Sequence, residues 1–222
     1  MRVLALDASS PVLSVALVED GRVLSESTHD ARAGDLLPAV LGPLDGVDGI
    51  AVGIGPGSFT GLRVALAAAK ALAYARGWPI AGASSLLALA GAAQDLPGVP
   101  PLVCATIEAR RGELYASLHR GAEVVWPEAV YRAGALAEKL RGLEVLLAGP
   151  GALANRAALE GFSIAEGLRA PPAREVARLC LPFLRTARYD LDALFALAPN
   201  YLQPSMAEVA LAEGRVGGLT RT

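Results

Sequence analysis

The chain has 222 residues, with 20 Lys plus Arg against 22 Asp plus Glu and a formal net charge of −2. At 53% apolar and 19% charged residues, the composition excludes a disordered chain and is enough for one large domain or two small ones with real cores. A protein that grips RNA unaided carries a basic excess; none exists here, so any nucleic acid contact is expected to run through a partner.

In chain order, strands are expected at 2–7 and 13–18, then a two-residue hairpin at Asp20-Gly21 and a third strand at 22–28. Residues 35–44 form a short helix pattern with Leu36, Leu37, Val40, Leu41 and Leu44 on one face. The apolar run 50–54 reads as a buried strand, and Gly55-Pro56-Gly57 forces a turn. Ser58 is placed to cap a long helix, 58–76, whose only polar side chains are Thr60, Arg63, Lys70, Tyr74 and Arg76. A helix apolar nearly all round is expected to be covered on more than one side: by its sheet, and by another chain. A strand at 79–83 and a helix through 93, capped by Ser84-Ser85, complete βββαβαβα.

Three prolines and a glycine mark 95–101 as a linker. The pattern then restarts with strands at 102–107, 113–119 and 123–126, a helix at 133–141, a strand at 144–148, the turn Gly149-Pro150-Gly151, a helix at 152–159, a strand at 162–165 and a helix at 173–188. Two copies of βββαβαβα describe the actin-like ATPase (ASKHA) architecture, an α/β fold of two lobes with a cleft between them. The expected division is 1–98 and 99–200, with a tail at 201–222 that turns, forms a last helix and packs back on the first lobe.

The turn between the first two strands carries Asp7, Ser9 and Ser10, residue types that hold phosphate and magnesium in actin-like ATPases. Ala8 stands where a glycine would let the backbone approach phosphate, so the competing expectation is that Asp7 merely caps the turn. Glu108 opens the matching hairpin of the second lobe, either facing the cleft or belonging to a solvated, salt-bridged turn. The string GIGPGSFTGLR, residues 53–63, is neither a Walker A loop, nor a dinucleotide fingerprint, nor a nucleophile elbow. Its first-turn N–H groups either hold an anion or simply let the helix pack closely. His29 and His119 are the only histidines and lack metal-ligand spacing, so neither a metal site nor a Ser-His-Asp triad is expected. Cys104 and Cys180 fit free thiols in a cytoplasmic protein. Pro79 and several glycines split the uncharged stretch 77–94, and no membrane span is expected.

The chain resembles the TsaB (YeaZ) family of bacterial tRNA threonylcarbamoyladenosine biosynthesis. The resemblance rests on five blocks in order besides the opening strand: DLLP at 35–38, the string at 53–63, PIAGASSL at 79–86, EARRGELY at 108–115 and PNYL at 199–202. It departs from the family's pattern at Ala33, in a region where many members carry a histidine, and at Glu108, where aspartate is commoner. The resemblance implies an actin-like fold with a degenerate active site and no catalytic residue. It implies a dimerisation subunit that pairs with the catalytic subunit TsaD, works with the ATPase TsaE, and meets tRNA only through that complex, which uses ATP and a metal through the partners. The expected contact face is Leu36, Leu37, Val40, Gly61, Leu62, Ala65, Leu66, Ala69 and Ala73. It is expected to pair with TsaD, or with itself when TsaD is absent, each buried leucine contributing roughly 1.5–3 kcal/mol. The alternatives are a small-molecule kinase or ATPase of the actin-like class, a glycoprotease-like hydrolase and an inert scaffold.

Overall fold

A computed structural model of the protein describes residues 1–30, 44–110, 112–204 and 210. Leu36, Leu37 and Val40, and with them most of the helix expected at 35–44, lie outside the described residues, as does the last helix expected in the tail.

The first sheet contains β1 (Arg2–Asp7), β2 (Leu13–Glu19), β3 (Arg22–His29), β4 (Gly49–Gly53) and β5 (Ile80–Ala83), in the order β3-β2-β1-β4-β5. The β2–β3 hairpin turns at Asp20 and Gly21, both at positive φ, 48° and 89°, as a two-residue turn of matching twist requires. β1, β4 and β5 run parallel, so their connections cross over through helices. α1 (Phe59–Arg76) follows β4, capped by the Ser58 hydroxyl at its start and by Gly77 in the left-handed region at its end. α2 (Ser85–Gln94) follows β5, capped by Ser84.

The second sheet repeats the plan: β6 (Leu102–Glu108), β7 (Glu113–Arg120), β8 (Glu123–Arg132), β9 (Val145–Ala148) and β10 (Ser163–Ala165), in the order β10-β9-β6-β7-β8. Its helices are α3 (Ala133–Leu140), α4 (Pro150–Ala154), a 3₁₀ turn (Arg156–Leu159), α5 (Ala173–Leu184) and α6 (Leu191–Ala196).

The period-2 alternation of the strands sorts the core. Leu4, Leu6, Ile50 and Val52 face α1, whereas Val3, Ala5 and Ala51 face the opposite side. What covers that opposite side is α5, through Ala173, Val176, Ala177, Cys180 and Leu184. In return α2 lies on the second sheet, where Leu86, Leu89 and Ala93 meet Val103, Ala105, Ile107 and Ala148. Each half of the chain therefore covers the other half's sheet with its last long helix. α3 and the α4 region close the far face, around Cys104, Leu114, Leu118 and Leu147.

Several boundaries differ from expectation. β8 continues through Pro127 to Arg132. It is an edge strand, where a missing N–H breaks no ladder. The helix expected at 152–159 starts at Pro150, a residue pre-set for the first helical position, and divides into α4 and the 3₁₀ turn. α5 stops at Leu184, one turn before the expected end, with Pro182 in its last turn. α6 was not expected; Asp190 caps it, accepting from the amides of Asp192 and Ala193.

Candidate functional site

Asp7 ends β1 and is fully buried. Its Oδ1 accepts the Ser9 amide at 2.8 Å and the Ser9 hydroxyl at 2.6 Å, and its Oδ2 accepts the Ser85 hydroxyl at 2.5 Å. Ser85 in turn accepts the Gly55 amide at 3.2 Å, so one carboxylate ties the β1 turn to the start of α2 and to the glycine turn. Burial pushes the Asp7 carboxyl above the ordinary carboxylate range, against the opposing pull of the Ser85 and Ser9 hydroxyls and the Ser9 amide. Ser9 and Ser10 are buried with it. Ser10 bonds locally to the Val12 carbonyl at 2.9 Å.

The glycine string packs against this same turn. A Cβ on Gly53 would lie 1.8 Å from Asp7 Oδ2, and one on Gly61 would lie 2.0 Å from the Ala8 carbonyl oxygen, so only glycine fits at either position. The Ser58 amide donates to the Ser9 carbonyl at 2.7 Å, and the Gly61 amide to the Ser58 hydroxyl at 3.2 Å. Two N–H groups of the expected anion cradle are thus satisfied by the lobe itself, and the string acts as the close-packing turn.

The second lobe holds Thr106, not a carboxylate, at the position matching Asp7. Both residues lie beside the glycine at the C-terminal end of the neighbouring parallel strand, Gly53 at the end of β4 for Asp7 and Gly149 just after β9 for Thr106. The Thr106 hydroxyl donates to the Ala148 carbonyl at 3.0 Å and accepts the Ala152 amide at 2.8 Å. Nothing in the sequence reading singles out Thr106; matching Gly149-Pro150-Gly151 to Gly55-Pro56-Gly57 is two residues out of step with the strand pairing and points to Cys104 instead.

Glu108 is exposed and does reach the cleft mouth, where it shares a recess of about 180 Å³ with Gly57, Ser58, Phe59, Tyr115 and the tail residue Tyr201. Ligand pockets run to about 300–1,000 Å³, so this recess is small for a nucleotide. Of the four candidate cleft residues, then, Asp7, Ser9 and Ser10 are sealed inside the first lobe and Glu108 alone faces solvent.

The candidate contact face is turned inward where it is described. Gly61, Leu62, Ala65, Leu66, Ala69 and Ala73 are all buried within the chain, with Leu66 the most exposed of its hydrophobic members at 7%. The sheet and α6 take up this side of α1, with Leu194 in the same core cluster. The outward-facing residues of α1 are Thr60, Arg63, Ala67, Ala71 and Tyr74, all exposed.

Cys104 and Cys180 are buried free thiols whose pKa burial pushes up to about 12, so neither is a nucleophile near neutral pH. His119 is buried against the Ser117 hydroxyl at 2.7 Å, with its Nδ1 unpaired. Among the described residues no group of three or more His, Cys, Asp or Glu could hold a metal ion, and no helix is long and apolar enough to cross a membrane.

Two five-stranded sheets of one topology, with α2 and α5 packed between them and a carboxylate at the end of the first strand, define an α/β protein of actin-like ATPase architecture whose first-lobe carboxylate is closed into its own hydrogen bonds. The sequence model of the family described as TsaD, tRNA N6-adenosine threonylcarbamoyltransferase, matches residues 39–214. The tRNA threonylcarbamoyladenosine biosynthesis protein TsaB of Escherichia coli is 34% identical over 157 residues, 64% of this chain and 68% of that protein. The TsaB of Bacillus subtilis is 35% identical over 133 residues, 54% of this chain but only 56% of its own length. The structure of YeaZ from Pseudomonas aeruginosa superposes with a TM-score of 0.73 at 29% identity, covering 90% of this chain and 99% of that one. The chain belongs to the TsaB family of tRNA threonylcarbamoyladenosine biosynthesis proteins.

Proposed function

We propose that this chain is a non-catalytic subunit of the tRNA threonylcarbamoyladenosine machinery. It pairs with a TsaD-like catalytic subunit, works with a TsaE-like ATPase, and self-associates when the catalytic subunit is absent. The observation that carries the non-catalytic reading is Asp7, which engages both of its oxygens with serines of its own chain. Buried at 0% exposure and already held at both oxygens, that carboxylate meets a metal-bound phosphate only if the lobe opens around it. Thr106 in the matching place of the second lobe supports the same view.

The pairing surface is the outward stripe of α1. Ala67 and Ala71 lie one turn apart, so a partner helix could approach the backbone closely, while Arg63 and Tyr74 at the edges would fix its orientation. With a net charge of −2, contact with tRNA is left to the assembled complex.

Co-purification with a TsaD-like protein tests the pairing: a stable complex is expected from the parent chain and none from Ala71→Glu. Equal recovery with both would remove this stripe from the interface. Calorimetric titration of the isolated chain with MgATP tests the absence of catalysis. No heat of binding is expected, and tight binding would favour the kinase or ATPase alternative.

A further inference from the structure

The segment PNYL at 199–202 belongs to no helix or strand. In the structure it bridges the lobes. Leu197 packs into the core between the first sheet and α1, and Leu202, five residues on, packs into the core between α2 and the second sheet. Between them, Asn200 holds both lobes at once. Its amide donates to the Ile54 carbonyl at 2.7 Å in the first lobe, and its side-chain Nδ2 donates to Glu128 Oε2 at 2.6 Å on β8 of the second. The other oxygen of Glu128 accepts the hydroxyl of Ser84, the cap of α2.

The next residues continue across the cleft mouth. The Tyr201 ring stacks on Phe59 at 5.0 Å between centroids, and the Arg63 guanidinium lies 4.9 Å from the same Phe59 ring. Gln203 accepts the Tyr115 hydroxyl at 3.1 Å and donates to Glu113 at 2.8 Å, both in the second lobe. Arg110, in the second-lobe hairpin, donates to the Pro204 carbonyl at 2.8 Å. A two-lobed fold opens and closes by hinge motion unless something spans the cleft, and a ligand contacting both lobes is the usual spanning element. Here the chain itself makes the contacts to both walls.

We propose that residues 199–204 are a built-in clasp that spans the cleft mouth and fixes the angle between the lobes, so that the lobes stay in register without a ligand in the cleft. The clasp belongs to the isolated chain and does not depend on its pairing with a TsaD-like protein.

Two measurements on the full-length protein test it. Spin labels at Arg22→Cys and Glu123→Cys, exposed positions on opposite lobes, report the interlobe distance. The parent is expected to give one narrow distribution and the double variant Asn200→Ala, Gln203→Ala one at least twice as wide. Equal widths would overturn the proposal. Amide hydrogen exchange on the unsubstituted chain needs no variant to fold: the Asn200 amide is expected to exchange at least 100-fold more slowly than an unstructured one. Exchange of that amide at the unstructured rate would equally overturn it.

Discussion

Asp7 sits where solvent cannot reach it, and three hydrogen bonds from Ser9 and Ser85 replace the water it has lost. Asp7→Ala strands those donors and is expected to lower the unfolding free energy by about 2–4 kcal/mol in urea melts. Burial raises the folded-state pKa of Asp7, so its contribution to stability is complete below the ordinary value of 3.8 and is lost as pH rises through the folded value. Asp7→Asn does not titrate; compared with the parent, it is therefore expected to gain ground as pH is raised from about 4 to about 7. His119 works in the opposite sense. Burial lowers its folded-state pKa, so its contribution is complete above the ordinary 6.5 and is lost as pH falls below that value. His119→Gln should accordingly flatten the parent's loss of stability between about pH 6.5 and 5, and an unchanged slope would show that another group titrates there. The presence of Asp7 and its serines was legible from the sequence. Their closure on one another was not, because Ser85 reaches Asp7 across 78 positions and nothing local announces the pair.

At the scale of elements, α1 was legible in extent but not in orientation. Glycines, a serine cap and a run of alanines define its ends, yet alanine is equally at home facing a sheet, a partner or water. The residues assigned to a partner, Leu62 and Leu66 among them, turn toward the helix's own lobe, and the shorter side chains Ala67 and Ala71 face out. Leu66→Asp buries a carboxylate in the first-lobe core and is expected to cost more than about 3 kcal/mol in a denaturant melt. Ala71→Glu should stay within about 0.5 kcal/mol of the parent, so that a loss of pairing in that variant cannot be attributed to unfolding. β8 and α6 depart from expectation for different reasons. Pro127 reads locally as a strand end because an edge position is not visible in the sequence, whereas the Asp190 cap is a local signal for a helix too short to show a periodic apolar face.

At the scale of the molecule, the duplication was legible because both halves repeat one order of strands and helices. The exchange of α2 and α5 was not, since the apolar face of a helix does not record which sheet it covers. Its consequence is mechanical: each sheet depends on a helix from the other half, and the tail closes the cleft between them. Heating should therefore give a single calorimetric transition whose van't Hoff and calorimetric enthalpies agree, and a fragment of residues 1–98 should fail to fold, with Val3, Ala5 and Ala51 uncovered. Two separated transitions would mean that the lobes are independent domains. For the role of the whole chain, the most direct measurement is threonylcarbamoyl transfer to tRNA by purified TsaD-like and TsaE-like proteins supplied with the activated threonylcarbamoyl donor, with and without this chain. Modification that requires this chain, and that survives Asp7→Asn but not Ala71→Glu, is the predicted result; transfer at full rate in its absence would contradict the account.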